Sequence, residues 1–371
     1  MRARMLFGFS LLMSLSTYAL AWGERGHDAV SRVAARILAE SNDPDAQKLG
    51  AFLQRKENML GHLANVPDIV WRNTSKEMDE FTAPSHFIDM EFFLSPGLPP
   101  KPEDLPTDVK SLLVAMAKNC ARGKLVPCVP GDTDNKRIDK AGHAPFRIQT
   151  IYEDLVKTFQ QIKDLEVKTD KDAKDKDDPR TELVSKAILY TGILSHFVGD
   201  LANPHHTSSD YDGWDTDQGG LHGYFESEIV DSYPLDLEAI VLDEAERHPT
   251  MEAKFAKYPK DPLRQAWALA LESHQNLDAL RDLDKKYSLL EKSVKGEKDS
   301  RKKAKRKDVK ETRNQYRNFI IMRLAAGADA LSQFWLNAWR EGGKPDLSFY
   351  RSYHYDVKPD LIPLRYMPER K

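Results

Sequence analysis

The stretch from Ser195 to His206 (SHFVGDLANPHH) holds the side chains of this 371-residue chain that are best placed for metal chemistry. His196 and Asp200 are four residues apart, so a helix would place both on one face, one turn apart. An imidazole nitrogen and a carboxylate oxygen are ordinary zinc ligands. A surface His–Asp contact is the alternative. The apolar residues around the pair favour metal, because buried polar groups must be paired or ligated.

Further potential ligands lie on both sides of this stretch. His222 and Glu226 repeat the four-residue spacing, which by itself is weak because such pairs are common on exposed helices. Asp68, within LANVPDIVW, and His86, within SHFIDM, are additional candidates. These positions can serve one site only if the fold brings distant parts of the chain together.

The first 21 residues have the organisation of a signal peptide. Two arginines precede an apolar run, and residues 19–21 (ALA) match a cleavage site. A buried helix or a membrane anchor is the alternative, but the run is short for a bilayer. Cleavage after Ala21 predicts a secreted or periplasmic protein without a transmembrane segment. It would also free the amino group of Trp22, which can chelate a metal together with its own carbonyl oxygen, five residues before His27.

The elements that must position these residues are predicted to be helices. Apolar residues recur with helical periodicity in several stretches and do not alternate with period two over consecutive segments. The predicted helices cover 27–40, 183–201, 224–246, 262–283 and 316–341. The sequence therefore predicts an all-α, mainly helical single domain over 22–345, followed by a C-terminal tail over 346–371.

The amino-acid composition restricts the function less than the spacing of the potential metal ligands does. A formal net charge of −3 neither requires nor excludes nucleic acid. Charged excursions near 163–180 and 284–313 are expected to be solvated loops or helical arms. Within the second, SRKKAKRK (300–307) could bind nucleic acid, although solvated surface is the simpler interpretation. Cys120 and Cys128 could form a short-range disulfide after export or remain thiols.

The ordered set of candidate ligands resembles the zinc-dependent single-strand-specific nucleases and the related zinc-dependent phospholipases C. The superfamily patterns H-x-x-x-D, P-x-H and H-x-x-x-(D/E) are matched, in order, by His196, Asp200, Pro204, His206, His222 and Glu226. The resemblance extends from Trp22 to about residue 230. It implies a phospholipase C/nuclease-type helical fold with a tri-zinc cleft.

The resemblance also implies how three zinc ions would be held. The first would bind Asp68, His86, His196 and Asp200. The second would bind the Trp22 amino nitrogen and carbonyl oxygen, His27 and the shared Asp200. The third would bind His206, His222 and Glu226, with open positions for water and phosphate, and His205 is the alternative to His206. Asp68 would also act in catalysis by orienting or deprotonating the attacking water.

The implied reaction is hydrolysis of a phosphodiester by metal-activated water. WGERGH and HFID resemble the nucleases and predict single-stranded DNA or RNA as substrate, with 5′-phosphate products. Phe87 would then stack an unpaired base, unless it is a core residue, and Arg72, one position later than in the nucleases, would contact the leaving group.

Two other functions remain open at this point. The short GLHGYFE segment, with Glu226 as its final ligand, resembles the phospholipases C, so cleavage of phosphatidylcholine-type lipids is the second expectation. A non-catalytic, exported zinc-binding helical protein is the third. No obligate protein partner is indicated.

Overall fold

The computed structural model describes residues 22–93, 100–121, 134–166, 178–296 and 300–368. It is 68% helix and 3% strand, which confirms the predicted all-α class. Its α-helices are α1 (Glu24–Glu40), α2 (Pro44–Gln54), α3 (Glu57–Val66), α4 (Lys76–Thr82), α5 (Val109–Ala121), α6 (Asp134–Ala141), α7 (Ala144–Glu166), α8 (Thr181–Ala202), α9 (Leu221–Gly223), α10 (Leu237–Arg247), α11 (Glu252–Phe255), α12 (Pro262–His274), α13 (Leu277–Leu283) and α14 (Val309–Glu341).

Shorter helical segments connect these helices. The π-helical segments are Pro67–Trp71, Tyr224–Ile229 and Asp284–Ser288, and the 3₁₀ segments are Ala83–His86, Met90–Phe92, Pro102–Asp104 and Pro204–Thr207. A two-stranded antiparallel sheet joins β1 (Leu289–Glu291) to β2 (Lys305–Arg306). This hairpin lies in the excursion predicted as a loop or helical arm. Its strands of three and two residues are too short to produce a recognisable alternation.

Helix α8 lies at the centre of the core, where it packs against α7, α3, α14 and α1. Every residue from Thr191 to Ala202 is buried. Small residues allow the neighbouring helices to come close: a Cβ at Gly192 would lie 2.4 Å from Leu63 Cβ, and one at Gly199 would lie 3.1 Å from His27 Nδ1. The glycines therefore let α1 and α3 approach the part of α8 that carries His196 and Asp200.

The helix over 183–201 was predicted nearly to its observed limits, whereas two predicted helices are interrupted. The helix expected over 224–246 breaks between residue 231 and α10, because Pro234 cannot donate a backbone hydrogen bond and would clash with the preceding turn. The helix expected over 262–283 breaks between α12 and α13. There the Asn276 side chain donates to the Glu272 carbonyl, which competes with the helical backbone.

Two helices begin earlier than predicted. Helix α1 starts at Glu24 instead of residue 27. Helix α14 starts at Val309 instead of residue 316, because the Asp308 carboxylate caps it by accepting a hydrogen bond from Lys310 N. Charged residues form the first turns of α14, so the apolar periodicity that predicts this helix begins only near residue 316.

The C-terminal tail after α14 is extended and lies against the helical domain. Trp71 Nε1 donates to the Pro359 carbonyl at 2.8 Å, and the Tyr366 hydroxyl lies 2.8 Å from His143 Nδ1. Among the helices of the described ranges, none combines the length and apolar character that a bilayer span requires. The predicted signal peptide, residues 167–177 of the first charged excursion and the predicted Cys120–Cys128 pair lie outside the described residues or side chains.

Candidate metal centre

Eight buried side chains that the sequence singled out converge in the fold. They form three groups in which the potential ligand atoms lie within 4.8 Å of one another. The groups are His27–His196–Asp200, Asp68–His86–His196 and His206–His222–Glu226. These groups can hold metal ions, and they contain every side-chain ligand that the resemblance implied.

His196 belongs to both of the first two groups, and the Asp200 carboxylate contacts imidazoles of both. Its Oδ2 atom lies 3.0 Å from His86 Nδ1 and 3.2 Å from His196 Nε2, while Oδ1 lies 3.4 Å from His27 Nε2. Asp68 Oδ1 faces the same imidazoles, 3.8 Å from His86 Nδ1 and 4.0 Å from His196 Nε2. One carboxylate therefore reaches three imidazoles, the arrangement expected of a ligand shared between two ions.

The third group is more compact. His222 Nε2 lies 2.6 Å from Glu226 Oε2 and 3.2 Å from His206 Nε2, and His206 Nε2 lies 3.8 Å from the same carboxylate oxygen. His205 is also buried, but neither of its ring nitrogens has a hydrogen-bond partner in the described residues, and it is not part of the group. The geometry therefore places His206 in the third group, and His205 beside it.

Irregular helical backbone carries two of the three carboxylates. Asp68 lies in the π-helical segment after α3, and Glu226 lies in the π-helical segment after α9. Such segments are rare and often occur at functional sites. His206 lies in the 3₁₀ turn that Asn203 caps through a hydrogen bond from His205 N. Asp200, by contrast, comes from regular helix.

Hydrogen bonds outside the groups orient the imidazoles. His196 Nδ1 lies 2.7 Å from the Ala64 carbonyl, and His206 Nδ1 lies 2.8 Å from the His86 carbonyl. Each carbonyl requires the proton on Nδ1, which leaves the Nε2 lone pair directed into the site. Asn203 Nδ2 similarly donates to Glu226 Oε2 at 3.0 Å. Such outer contacts are usual around metal ligands.

The electrostatics keep most of these imidazoles neutral. Burial lowers the pKa of His27 to about 3 and the pKa values of His86 and His222 to about 4. His196 differs, because the Asp200 and Asp68 carboxylates outweigh burial and raise its pKa. Neutral imidazole is the form that binds metals.

The carboxylates respond to the same buried environment. Burial opposes ionisation of Asp68 and Asp200, but the nearby His196 lowers the pKa of both carboxyls. Arg72 also contributes at Asp68, where its guanidinium donates to Oδ1 at 3.1 Å. Burial raises the pKa of Glu226 to about 8. A cation beside Glu226 would stabilise the ionised carboxylate and so lower its pKa again.

Several buried polar atoms of the three groups make no hydrogen bond, and they indicate whether a metal ion would fit the site. Asp200 Oδ1 and His27 Nε2 are both buried and lie 3.4 Å apart, and within the described ranges neither atom makes a hydrogen bond. Glu226 Oε1 is buried and unpartnered in the same sense. Buried groups of this kind require compensation, and nitrogen and oxygen donors in sets of three or four suit a divalent metal such as zinc. The residues present therefore fit a metal.

Trp22 packs against this centre. Its side chain is fully buried, its ring centroid lies 5.4 Å from that of Phe225, and the next residue, Gly23, donates its backbone N–H to the Glu226 carbonyl at 3.3 Å. This brings the start of α1 against the π-helical segment that carries Glu226. The predicted amino-terminal ligand role remains a prediction.

A cleft of about 560 Å³ opens onto one side of the centre. His86, His206 and His222 line it, whereas His27 and Asp200 lie deeper. The third group is therefore the one most accessible to a substrate. The two residues predicted to bind substrate, Phe87 and Arg72, also line the cleft. Phe87 is only partly buried, so its ring is not simply a core residue.

Seven other residues line the cleft that the sequence does not predict as site residues, and they are Ala83, Asp89, Asp139, Lys140, Ser208, Ser209 and Tyr211. Asp89 was quoted only as part of the HFID motif, although burial raises its pKa well above the usual range. The Tyr211 side chain is 51% exposed, and its ring lies 5.6 Å from that of His222. No sequence motif near Lys140 or Tyr211 marks them as site residues, because only the folding of distant segments brings them to the cleft.

Comparison with known proteins adds no relative to this description. Neither the protein-family models nor the curated protein sequences give a match to this chain.

Proposed function

We propose that this chain is an exported zinc-dependent phosphodiesterase that acts as an endonuclease on single-stranded DNA and RNA and leaves 5′-phosphate products. The observation that carries the proposal is the convergence of eight buried ligand side chains into three adjoining groups, one of which faces a cleft. A structural metal site is usually closed on all sides. The open side of the third group supports a catalytic role.

The proposed assignment of metals follows the family resemblance, and the three groups of potential ligands support it. Asp68, His86, His196 and Asp200 would hold one zinc, Asp200 and His27 with the Trp22 terminus a second, and His206, His222 and Glu226 the third. When bound, zinc supplies Lewis-acid chemistry that acidifies water and neutralises charge on the phosphate. No side-chain nucleophile is required.

The protein's own groups have defined parts in this proposal. Asp68 stays ionised at neutral pH because neighbouring positive charge lowers its pKa, so it can orient an attacking water or accept its proton. Arg72 is held by Asp68 and by Asp79, whose Oδ1 atom lies 2.6 Å from Arg72 Nε. The fixed guanidinium lines the cleft and can stabilise charge on the phosphate or the departing oxygen.

The cleft also supports the choice of substrate. Phe87 and Tyr211 place two aromatic rings at its wall, and an unpaired base can stack on such rings whatever its sequence. The carboxyl of Asp89, with its raised pKa, can donate as well as accept a hydrogen bond with a base edge.

A phospholipase C activity is the second candidate. It rests on the short connection from Gly219 to Glu226 and on glutamate as the final ligand, here 2.6 Å from His222 Nε2. A non-catalytic zinc protein is the third.

One assay separates the three functions. Zinc-loaded protein that begins at Trp22 is incubated with a single-stranded oligonucleotide, with its duplex and with phosphatidylcholine vesicles. Oligonucleotides with 5′-phosphates, identified by mass spectrometry and formed faster from the single strand, are expected. Release of phosphocholine alone would replace the proposal with the second candidate. If zinc is bound but no product forms, the third candidate, a non-catalytic zinc protein, would remain.

A further inference from the structure

The hairpin that contains β1 and β2 carries an unusual density of positive charge. Residues 300–307 include six lysines or arginines and no aspartate or glutamate. Mixed charge on a surface needs no functional explanation, so the first question is how many of these charges have partners. Arg306 is bound to Asp284, with Nε 2.8 Å from Oδ1, and Lys305 pairs with Glu291 at 3.0 Å.

Two further lysines neutralise the acidic loop that precedes His222. Lys292 pairs with Asp217 at 2.8 Å, and Lys295 pairs with Asp215. Within the described ranges, however, no salt bridge involves the four remaining basic residues of 300–307. All four are exposed, and they are Arg301, Lys302, Lys303 and Lys307. Among the described residues, these four side chains therefore have no acidic partner in the hairpin or in the loop that it contacts.

Backbone contacts fix this hairpin to the loop before His222. Ala304 N donates to the Gly219 carbonyl at 2.9 Å, and Ser293 N donates to the Asp217 carbonyl at 2.9 Å. Gly219 N in turn donates to Ser293 Oγ at 3.0 Å. His222, three residues after Gly219, belongs to the group that faces the cleft. The hairpin is thus a fixed neighbour of the third metal group.

Two of the unpaired cations lie against this loop. The Arg301 guanidinium carbon is 5.3 Å from the centroid of the Trp214 ring. The Lys303 side chain lies over Gly220, where an added Cβ would come within 3.0 Å of Lys303 Cδ. Lys302, between them, pairs with Val294 in an isolated antiparallel β-bridge. Alternate residues of such an extended segment point to the same side, which agrees with both side chains facing the loop.

Tyr211 connects this basic surface to the cleft. Burial and the neighbouring Asp212 carboxylate raise the pKa of Tyr211, and the positive charges of Arg301 and Arg72 oppose this shift. Arg72 lines the cleft at its metal side, and Tyr211 lines it beside His222. Tyr211 precedes Asp212, whose carbonyl accepts a hydrogen bond from Gly220 N at 3.0 Å. Its exposed ring therefore lies on the same loop that Arg301 and Lys303 contact, where that loop lines the cleft.

We propose that Arg301 and Lys303 form a second binding region for the substrate, which holds phosphates of a single-stranded polynucleotide outside the metal cleft. This inference rests on the proposed function and specifies that its substrate is a chain of several nucleotides. Cationic side chains interleaved with aromatic rings are the usual surface for single-stranded nucleic acid. An anionic membrane is the other partner that exposed lysines can attract, and the test below distinguishes it.

The test compares substrates of two lengths. The double variant Arg301→Gln/Lys303→Gln is assayed on a 20-nucleotide single strand and on a dinucleotide that occupies only the metal cleft. Each phosphate contact adds about 0.7 to the salt dependence of single-strand binding, so two lost contacts reduce the logarithmic slope of KM against salt by about 1.4. Between 50 and 200 mM salt, the KM of the parent for the 20-mer should therefore rise about sevenfold more than the KM of the variant. The KM for the dinucleotide should not change.

Two controls make the result specific. The double variant Lys110→Gln/Lys257→Gln removes the same charge from exposed positions on other parts of the surface and should leave the salt slope unchanged. Thermal melting checks that both variants fold. An equal effect of the two double variants, or an equal rise in KM for both substrates, would overturn the inference.

Two further outcomes separate this inference from its alternatives. Loss of binding to phosphatidylserine vesicles with an unchanged KM for the 20-mer would assign the surface to membranes and overturn the inference. If the parent protein cleaves neither strand, the proposed function fails. Fluorescence anisotropy with the uncleaved, labelled 20-mer then tests the hairpin separately, and equal affinity of parent and Arg301→Gln/Lys303→Gln protein would overturn the inference as well.

Discussion

If the proposed metal assignment is correct, replacement of Asp200 by asparagine should remove two of the three zinc ions while leaving the fold intact. The two side chains have nearly the same shape, so the change is mainly the loss of one buried charge. The Asp200 carboxylate approaches His27, His86 and His196 within 3.4 Å. An amide cannot bridge two cations, and its NH₂ group would point a donor at one of them. The third group does not include Asp200 and should keep its metal.

The stability change can be estimated from ligand linkage. An ion present at 100 times its Kd stabilises the folded state by about 2.7 kcal/mol, so two lost ions correspond to about 5.4 kcal/mol. For the roughly 350 residues after Ala21, the unfolding entropy is about 0.7 kcal/mol per kelvin. The melting temperature with zinc should therefore fall by about 7 °C. In chelator the variant should also be less stable than the parent at neutral pH, because His196 and His86 favour the ionised Asp200 in the folded state and the amide loses that interaction.

Elemental analysis and calorimetry, each with zinc and with chelator, check this prediction. Asp329→Asn is the matched control, since Asp329 is also a buried aspartate but belongs to none of the three groups. That variant should retain three ions. If Asp200→Asn protein binds as much zinc as the parent and hydrolyses the same substrate at the same rate, Asp200 does not bridge and the metal assignment is wrong.

Three other predictions can be checked independently. One extra residue before Trp22 should reduce kcat/KM by more than the ~10–100-fold typical of losing an outer-shell partner, because an amide nitrogen cannot replace the amine; full activity would remove Trp22 from the ligand set. His206→Ala should lower zinc content and kcat/KM more than His205→Ala, and the reverse order would reassign the third site. Burial raises the pKa of Asp329 to about 6, so ionisation of Asp329 costs stability as pH rises from about 4 to about 6. Asp329→Asn, which keeps an acceptor for Met251 N, should therefore be more stable than the parent by up to ~3 kcal/mol at pH 7 and by nothing at pH 3; denaturant unfolding that shows the same difference at both pH values would contradict this.

The sequence by itself determined the helical class and the side chains that converge at the site. Helix α8 was predictable because its apolar residues recur with helical period over more than four turns. The spacing of His196 and Asp200 required both to lie on one face once that helix formed. Donor chemistry and a four-residue spacing are local properties, and they are visible without the fold.

Tertiary structure alone decided what surrounds those side chains. His86 meets Asp200 across 114 residues of sequence, and the π-helical backbone at Asp68 and Glu226 has no local signature that was recognised. Arg301 lies against Trp214 of the loop before His222 because backbone hydrogen bonds fix the hairpin to that loop, and Tyr211 of the same loop lines the cleft. Such contacts form between segments whose local preferences do not depend on each other. Packing, and not periodicity, therefore determined the cleft and its basic margin.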